Sequence, residues 1–181
     1  MTTFEFSIIA SGLDPEAEDF ADRFFDAGCD DATTSFQKGY IILDFARDAD
    51  SIDEAICSAV ECVDKTGAIV SRVEPDPLVS LSDIAARTGL TRAAITNYSK
   101  GERADNFPSP VARVTSKTSL YDWAAVAAWL FQHGQISREE AIKAQAVKAA
   151  NEAIKDRRAK LRETLQRRVK AYEADLDKMA A

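Results

Sequence analysis

The sequence predicts an α+β protein in three parts, on three observations. Residues 4–74 alternate strand-like and helix-like apolar patterns in the order β-α-β-β-α-β. Residues 81–130 hold two short helical patterns divided by Gly89, then a proline-bounded hairpin and a third helix. From residue 137 to about 179 there is no Gly or Pro, and Ala, Lys, Arg, Glu, Gln and Leu dominate, which is material for one long helix.

Phe4, Phe6, Ile8 and Ala10 alternate as in a half-buried first strand. Asp14 then caps and Pro15 opens a helix whose apolar residues are Ala17, Phe20, Ala21, Phe24 and Phe25, at helical spacing. Gly28 ends it. Ala32, Thr34 and Phe36 give a second strand with one inward face, Lys38-Gly39 turn the chain, and Tyr40 to Phe45 form an apolar third strand. Ser51 and Glu54 read as a capping box. The helix behind it carries Ile52, Ala55, Ile56, Ala59, Val60 and Val63 on one stripe. Gly67 stops it, and Ala68 to Val73 make the fourth strand. This order is the split β-α-β of the ferredoxin-like fold over residues 1–74. Glu74-Pro75-Asp76-Pro77 opens a stiff, extended linker over residues 75–79.

The central part spans residues 80–134. Ser82 reads as the N-cap of a short helix from Asp83 to Arg87, Gly89 permits a sharp turn, and Thr91 caps a second helix to about Lys100. Ile84, Ala85, Leu90, Ile95 and Tyr98 are placed to meet between the two. The outward positions are then Arg92, Ala93, Thr96, Asn97 and Lys100. Arg can grip guanine, Asn can grip adenine, and Ala can touch a thymine methyl. Lys100 and Arg103 suit phosphates better than bases. Phe107-Pro108-Ser109-Pro110 stops any helix. Val111 to Thr115 and Ser119 to Tyr121 are short β-prone runs around a basic tip, a wing. Asp122 caps a helix carrying Trp123, Val126, Ala127, Leu130 and Phe131, and His133-Gly134 closes it, with the histidine read as a helix-end complement.

Ile84-Ala85, Gly89-Leu90-Thr91-Arg92, Ile95, the Phe107-Pro108-x-Pro110 break and the helix ending in Trp129-Leu130 resemble the DNA-binding domains of MerR-type regulators and of phage excisionase and AlpA-like proteins. The resemblance covers residues 80–131, under a third of the chain. It implies a winged helix-turn-helix, a recognition helix in the major groove and a wing on the backbone. The expected DNA contacts are Ser82, Thr91, Arg92, Ala93, Thr96, Asn97, Lys100 and Arg103, with Arg113, Ser116, Lys117 and Thr118 on the wing. The chain departs from typical MerR proteins in carrying a whole domain ahead of the motif, so effector sensing by its C-terminal region does not carry over.

The net charge of −7 is unevenly spread. Residues 1–79 hold 18 acidic and 5 basic side chains, and residues 80–181 hold 12 and 18. The acidic front part would repel DNA, so it must face away or meet a basic protein partner. No residue run has the form of a signal peptide or a membrane span, and a cytoplasmic protein is expected. Cys29, Cys57 and Cys62 include no C-x-x-C and the chain has one histidine. No metal or cofactor is expected, and the cysteines read as reduced core residues, with a redox sensor as the alternative. Asp30-Asp31 reads as a solvated turn. No nucleophile-base set or Gly-rich phosphate loop points to an enzyme.

Ser137 and Glu140 form a second capping box at the head of the helix over residues 137–181. Leu165, Val169, Tyr172, Leu176 and Met179 step by heptad intervals and read as a coiled-coil dimer seam. Val147, Ile154 and Leu161 step by seven in a shifted phase, so either the coiled coil is interrupted near Arg162 or the two parts pack on different surfaces. Lys155 to Lys170 hold eight basic and two acidic residues, a further candidate for DNA flanks or an acidic neighbour. The expected function is a sequence-specific transcriptional repressor that binds double-stranded DNA as a homodimer. The alternatives are a recombination directionality factor that bends DNA, and an antitoxin or adaptor whose acidic domain binds a partner protein.

Overall fold

The computed structural model describes residues 1–156 and 161–180, which hold seven helices and an antiparallel sheet. They divide into two compact units: Met1–Pro75 with Ala146–Ala171, and Asp76–Gln145 with Tyr172–Ala181. No helix among the described residues is long and apolar enough to cross a membrane.

The first unit runs β1 (Thr2–Ser11), α1 (Phe20–Asp26), β2 (Ala32–Gln37), β3 (Tyr40–Ala49), α2 (Ile52–Lys65) and β4 (Ile69–Glu74). The strands lie in the order β2-β3-β1-β4, with every neighbouring pair antiparallel. Alternation sets the register: Phe6 lies opposite Phe45 and Ile8 opposite Leu43, so one face collects the large apolar side chains. Phe6 and Phe45 stack at 5.5 Å. Ile52, Ala55, Ile56, Ala59, Val60 and Val63 of α2 are all buried, as their helical stripe predicts.

α1 is shorter than its sequence pattern. It starts at Phe20, residues 14–19 form turns, and of the expected apolar stripe only Phe24 is buried while Phe25 is 68% exposed. The Asp14 carboxylate accepts from the Glu16 amide at 3.0 Å, which ties the chain into a local turn instead of a helix start. Ser51 stands at the N-cap of α2 but its side chain makes no capping bond.

Cys29 and Cys62 form a disulfide, with their Cα atoms 6.0 Å apart, and Cys57 is a buried thiol. This corrects the reading of three reduced cysteines. The pairing is not local: Cys29 follows α1, Cys62 stands in the last turn of α2, and 33 residues separate the two positions. Beside the bridge lies Arg47, a charged residue at a buried position of β3. Its guanidinium grips both Asp31 oxygens at 2.6 and 2.7 Å, donates to the Gly28 carbonyl at 2.7 Å, and lies 4.8 Å from the Phe45 ring centre. Asp31 is therefore an ion-pair partner rather than a freely solvated turn residue.

The second unit holds β5 (Leu78–Val79), α3 (Leu81–Thr88), α4 (Arg92–Ser99), β6 (Tyr121–Asp122) and α5 (Trp123–Gln132). Leu78 pairs with Asp122 and Val79 with Tyr121, so the last residues of the expected linker are a strand of this unit.

The single long helix expected over residues 137–181 is two helices, α6 (Arg138–Asp156) and α7 (Leu161–Ala180). In one straight helix residues 138 and 177 would stand roughly 60 Å apart. Instead Arg138 pairs with Asp177 at 3.0 Å within the second unit, and Arg168 pairs with Glu152 within the first. The capping box at the head of α6 is formed: the Ser137 amide donates to Glu140 at 2.8 Å and the Glu140 amide to the Ser137 hydroxyl at 3.1 Å. The dimer seam is corrected with the helix. Leu165, Val169 and Leu176 are buried within the single chain, Tyr172 is half-buried, and Met179 is exposed with its sulfur 3.0 Å from the Gln132 amide nitrogen. Part of the basic run between Lys155 and Lys170 lies outside the described residues.

Asn151, buried on α6, closes the outer edge of β4. Its Oδ1 accepts from the Val73 amide and its Nδ2 donates to the Val73 carbonyl, both at 2.8 Å. A side-chain amide thus stands where a fifth strand would pair.

Candidate nucleic-acid interface

Local chemistry fixes the two short helices. Ser80, not Ser82, is the N-cap of α3. Its hydroxyl accepts from the Asp83 amide at 3.2 Å, and its own amide and hydroxyl donate to the Asp83 carboxylate at 2.7 and 2.6 Å. Those two bonds hold the Asp83 carboxyl below its ordinary range. Gly89 ends α3 at φ 69°, and an added Cβ would meet nothing within 4 Å. The need there is for the left-handed backbone, not for space. The Thr91 hydroxyl accepts from the Ala94 amide at 3.1 Å and starts α4. Asp122 does the same for α5 through Ala125 at 3.1 Å.

Behind the helices lies a core of Val79, Ile84, Ile95, Trp123, Val126 and Leu130. Trp129 joins it with Tyr98 at 5.0 Å and Phe107 at 5.1 Å, both edge-on. Its indole N–H donates to the Asp105 carbonyl at 3.0 Å and so pins the loop after α4. His133 ends α5, stacked on Trp129 at 3.8 Å with Nδ1 2.7 Å from the Trp129 carbonyl. The expected apolar face of α5 is present, except that Phe131 is only half-buried and Trp129 is buried.

With Ala94, Ile95 and Tyr98 turned inward, α4 exposes Arg92, Ala93 and Lys100. Thr91 and Arg103 are exposed as well, whereas Thr96 and Asn97 are half-buried. The Thr96 hydroxyl donates back to the Arg92 carbonyl at 2.8 Å. The Asn97 amide nitrogen faces the Ala93 carbonyl and the Glu102 carboxylate, each at 3.3 Å. Asn97 is therefore held by its neighbours rather than projecting freely. Arg103 lies over the Tyr98 ring at 5.7 Å.

The hairpin expected as a wing is less than a ladder. Ala112 and Leu120 form one isolated bridge. Arg113 then takes φ 51° and leaves the β region, so the expected strands from Val111 to Thr115 and from Ser119 to Tyr121 stop there. Tyr121 pairs instead with Val79. The loop between is polar and exposed, with Arg113, Ser116, Lys117 and Thr118 at its surface. The Ser116 hydroxyl lies 3.0 Å from the carbonyls of both Arg113 and Thr118 and braces the tip.

One recess joins these parts. Arg92 and Lys117, with Ser80, Thr118, Ser119 and Tyr121 among their neighbours, line a cavity of about 70 Å³. Arg92 also donates to the Ser82 hydroxyl, so Ser82 orients a cation instead of capping a helix. Two cations from segments 25 residues apart thus share a space of more than two water volumes (about 30 Å³ each). Such a place attracts an anionic oxygen group. Three contributors go unnoticed in the sequence. Ser80 carries the capping box, Ser119 lines the recess, and Arg87 places its guanidinium 5.1 Å from the Trp123 ring centre. Only Ser80 has a local signal, the Ser-x-x-Asp spacing to Asp83.

Comparisons with protein-family models, with curated proteins and with solved structures find no match to this chain.

Proposed function

We propose that this protein is a sequence-specific DNA-binding regulator. In this reading the second unit is a winged helix-turn-helix of the MerR and excisionase kind, and the first is a ferredoxin-like domain. The observation that carries it is the recess shared by Arg92 and Lys117, beside the exposed Ala93 of the same helix end. A strand phosphate seated there would bring the first turn of α4 against base edges, which is how a recognition helix reads a major groove. The second reading helix position, Asn97, reaches a base only after leaving Glu102. Arg92, Ala93 and Thr91 therefore carry more of the reading than Asn97. The protein acts as a homodimer on two half-sites, and repression of a nearby promoter is the simplest outcome.

A second reading is favoured by the charge of the first unit. Glu5, Asp44 and Asp48 stand exposed on the sheet face turned away from α2. A basic protein docked there would make the chain an adaptor that reports its partner to DNA.

The test is retention of fragmented source DNA on the purified protein, followed by sequencing. A few enriched sites with inverted half-sites support the reading. Uniform recovery that disappears at moderate salt leaves only phosphate binding and overturns sequence-specific recognition.

A further inference from the structure

The proposed function makes no use of the disulfide in the first unit, and that bridge borders a groove beside β2. We propose that Cys29 is a site of thiol–disulfide exchange, at which a small thiol bearing an ammonium group bonds to the Cys29 sulfur and frees Cys62. The inference stands on the first unit alone and is independent of the DNA reading.

The groove holds about 390 Å³, a volume suited to a small organic molecule, and its wall includes Cys29 and not Cys62. Attack from the groove therefore falls on the Cys29 sulfur. The polar contacts of the bridge fall on the other one. Arg47 Nη2 stands 3.8 Å from Cys62 Sγ, and the Ala59 carbonyl oxygen 3.2 Å from it. Asp31 and the Gly28 carbonyl hold the guanidinium in place, so a cation already stands beside the sulfur that would depart. The reagent's charge follows from the wall as well. The charged side chains on it are Asp22 and Asp30, both exposed. They repel an anionic thiol and attract an ammonium group. Phe25, 68% exposed on the same wall, offers apolar surface to a short carbon chain. A short aminothiol fits all of this.

The step is an exchange. The thiolate of the aminothiol attacks Cys29 Sγ, a bond forms between these two sulfurs, and the bond to Cys62 Sγ breaks with its electron pair leaving on Cys62. That thiolate meets the Arg47 N–H, takes a proton from water, and as a thiol donates to the Ala59 carbonyl. One disulfide replaces another, so no outside oxidant or reductant enters. A second aminothiol, attacking the sulfur of the first, carries it off as a symmetric disulfide and leaves Cys29 as a thiolate. The bridge is then reduced at the expense of two thiols.

The experiment treats the full chain, isolated without reductant, with limiting cysteamine, quenches in acid, alkylates the free thiols and maps the peptides by mass. Cysteamine on Cys29 with the alkyl group on Cys62 is the expected result. Cysteamine on Cys62 instead, or both cysteines alkylated before any thiol is added, overturns the proposal. The rate is then compared with that of mercaptoethanesulfonate, a thiol of similar size and opposite charge, each divided by its rate toward a small linear disulfide. Cysteamine should be favoured about tenfold at low salt, and the preference should shrink as salt rises. Asp30→Lys, at an exposed position, should remove it. Equal normalised rates, a preference indifferent to Asp30→Lys, or a rate independent of thiol concentration, which marks opening of the whole fold, each sinks the idea. Exchange at Cys29 in a chain that retains no DNA would defeat the regulator reading and leave this site standing.

Discussion

The two units are held together by different kinds of interaction. The first is locked by pairings between residues far apart in sequence: Cys29 with Cys62, Arg47 with Asp31, and Asn151 with Val73. The second is set by short-range devices, the caps at Ser80, Thr91 and Asp122 and the left-handed Gly89, over an aromatic core centred on Trp129. The difference teaches where function can sit. A unit built from local caps can present a helix end at its surface, and the cations gathered at Arg92 and Lys117 belong to that unit. The first unit, with its braced sheet, has little to change except its edges.

Substitutions can break this contrast. The largest effect is expected from Trp129→Ala, which empties the aromatic core and removes the bond to Asp105. It should cost about 3–5 kcal/mol and abolish DNA retention, while the first unit's disulfide stays formed in a thiol-trapping assay. Replacing Cys29 and Cys62 together by Ala should cost about 3–4 kcal/mol by loop closure, read as a lower melting temperature with DNA retention at low temperature unchanged. Equal loss of DNA retention would show that the two units do not act separately. Arg92→Ala should cost about 1–3 kcal/mol at a cognate site and relax its sequence preference. Lys117→Ala should weaken all sequences alike and reduce the salt slope by about one. If Lys117→Ala alters specificity and Arg92→Ala does not, helix and wing have exchanged roles.

The smallest effect concerns the Ser80 cap. Ser80→Ala should cost about 1 kcal/mol. The same bonds lower the Asp83 carboxyl from its ordinary 3.8, so their contribution is present above that value and fades as pH falls through the folded one. Thermal melts should therefore separate wild type from Asp83→Asn at neutral pH and bring them together in acid. A gap that persists there would place the cap's contribution outside the Asp83 charge.

What could be read from the sequence follows the same division. The strands of the first unit are visible because alternation is local, and α2 because its stripe is complete. The caps at Thr91, Asp122 and Ser137 and the turn at Gly89 are legible for the same reason. Ser80 was within reach, but Ser82 offered a competing cap two residues on. The disulfide was not legible, since its spacing means nothing until the turn after α1 meets the last turn of α2. Nor was the division of the last helix, where no Gly or Pro marks an end and the heptad steps fit an internal contact as well as a dimer. In the candidate site, residue identity gave Arg92 and Lys117. Their shared recess, and the hold of Glu102 on Asn97, depend on how the loops fold.

The bond between Asn151 and Val73 makes the C-terminal segment a guard for a strand it is not part of. A chain cut after residue 145 would retain every strand of the sheet yet lose the plug on β4. The Val73 amide and carbonyl would then lose their partner, and the outer border of β4 would open to another strand. Trimming the last helices would therefore remove a guard against association as well as packing, leaving a border on which another chain can pair.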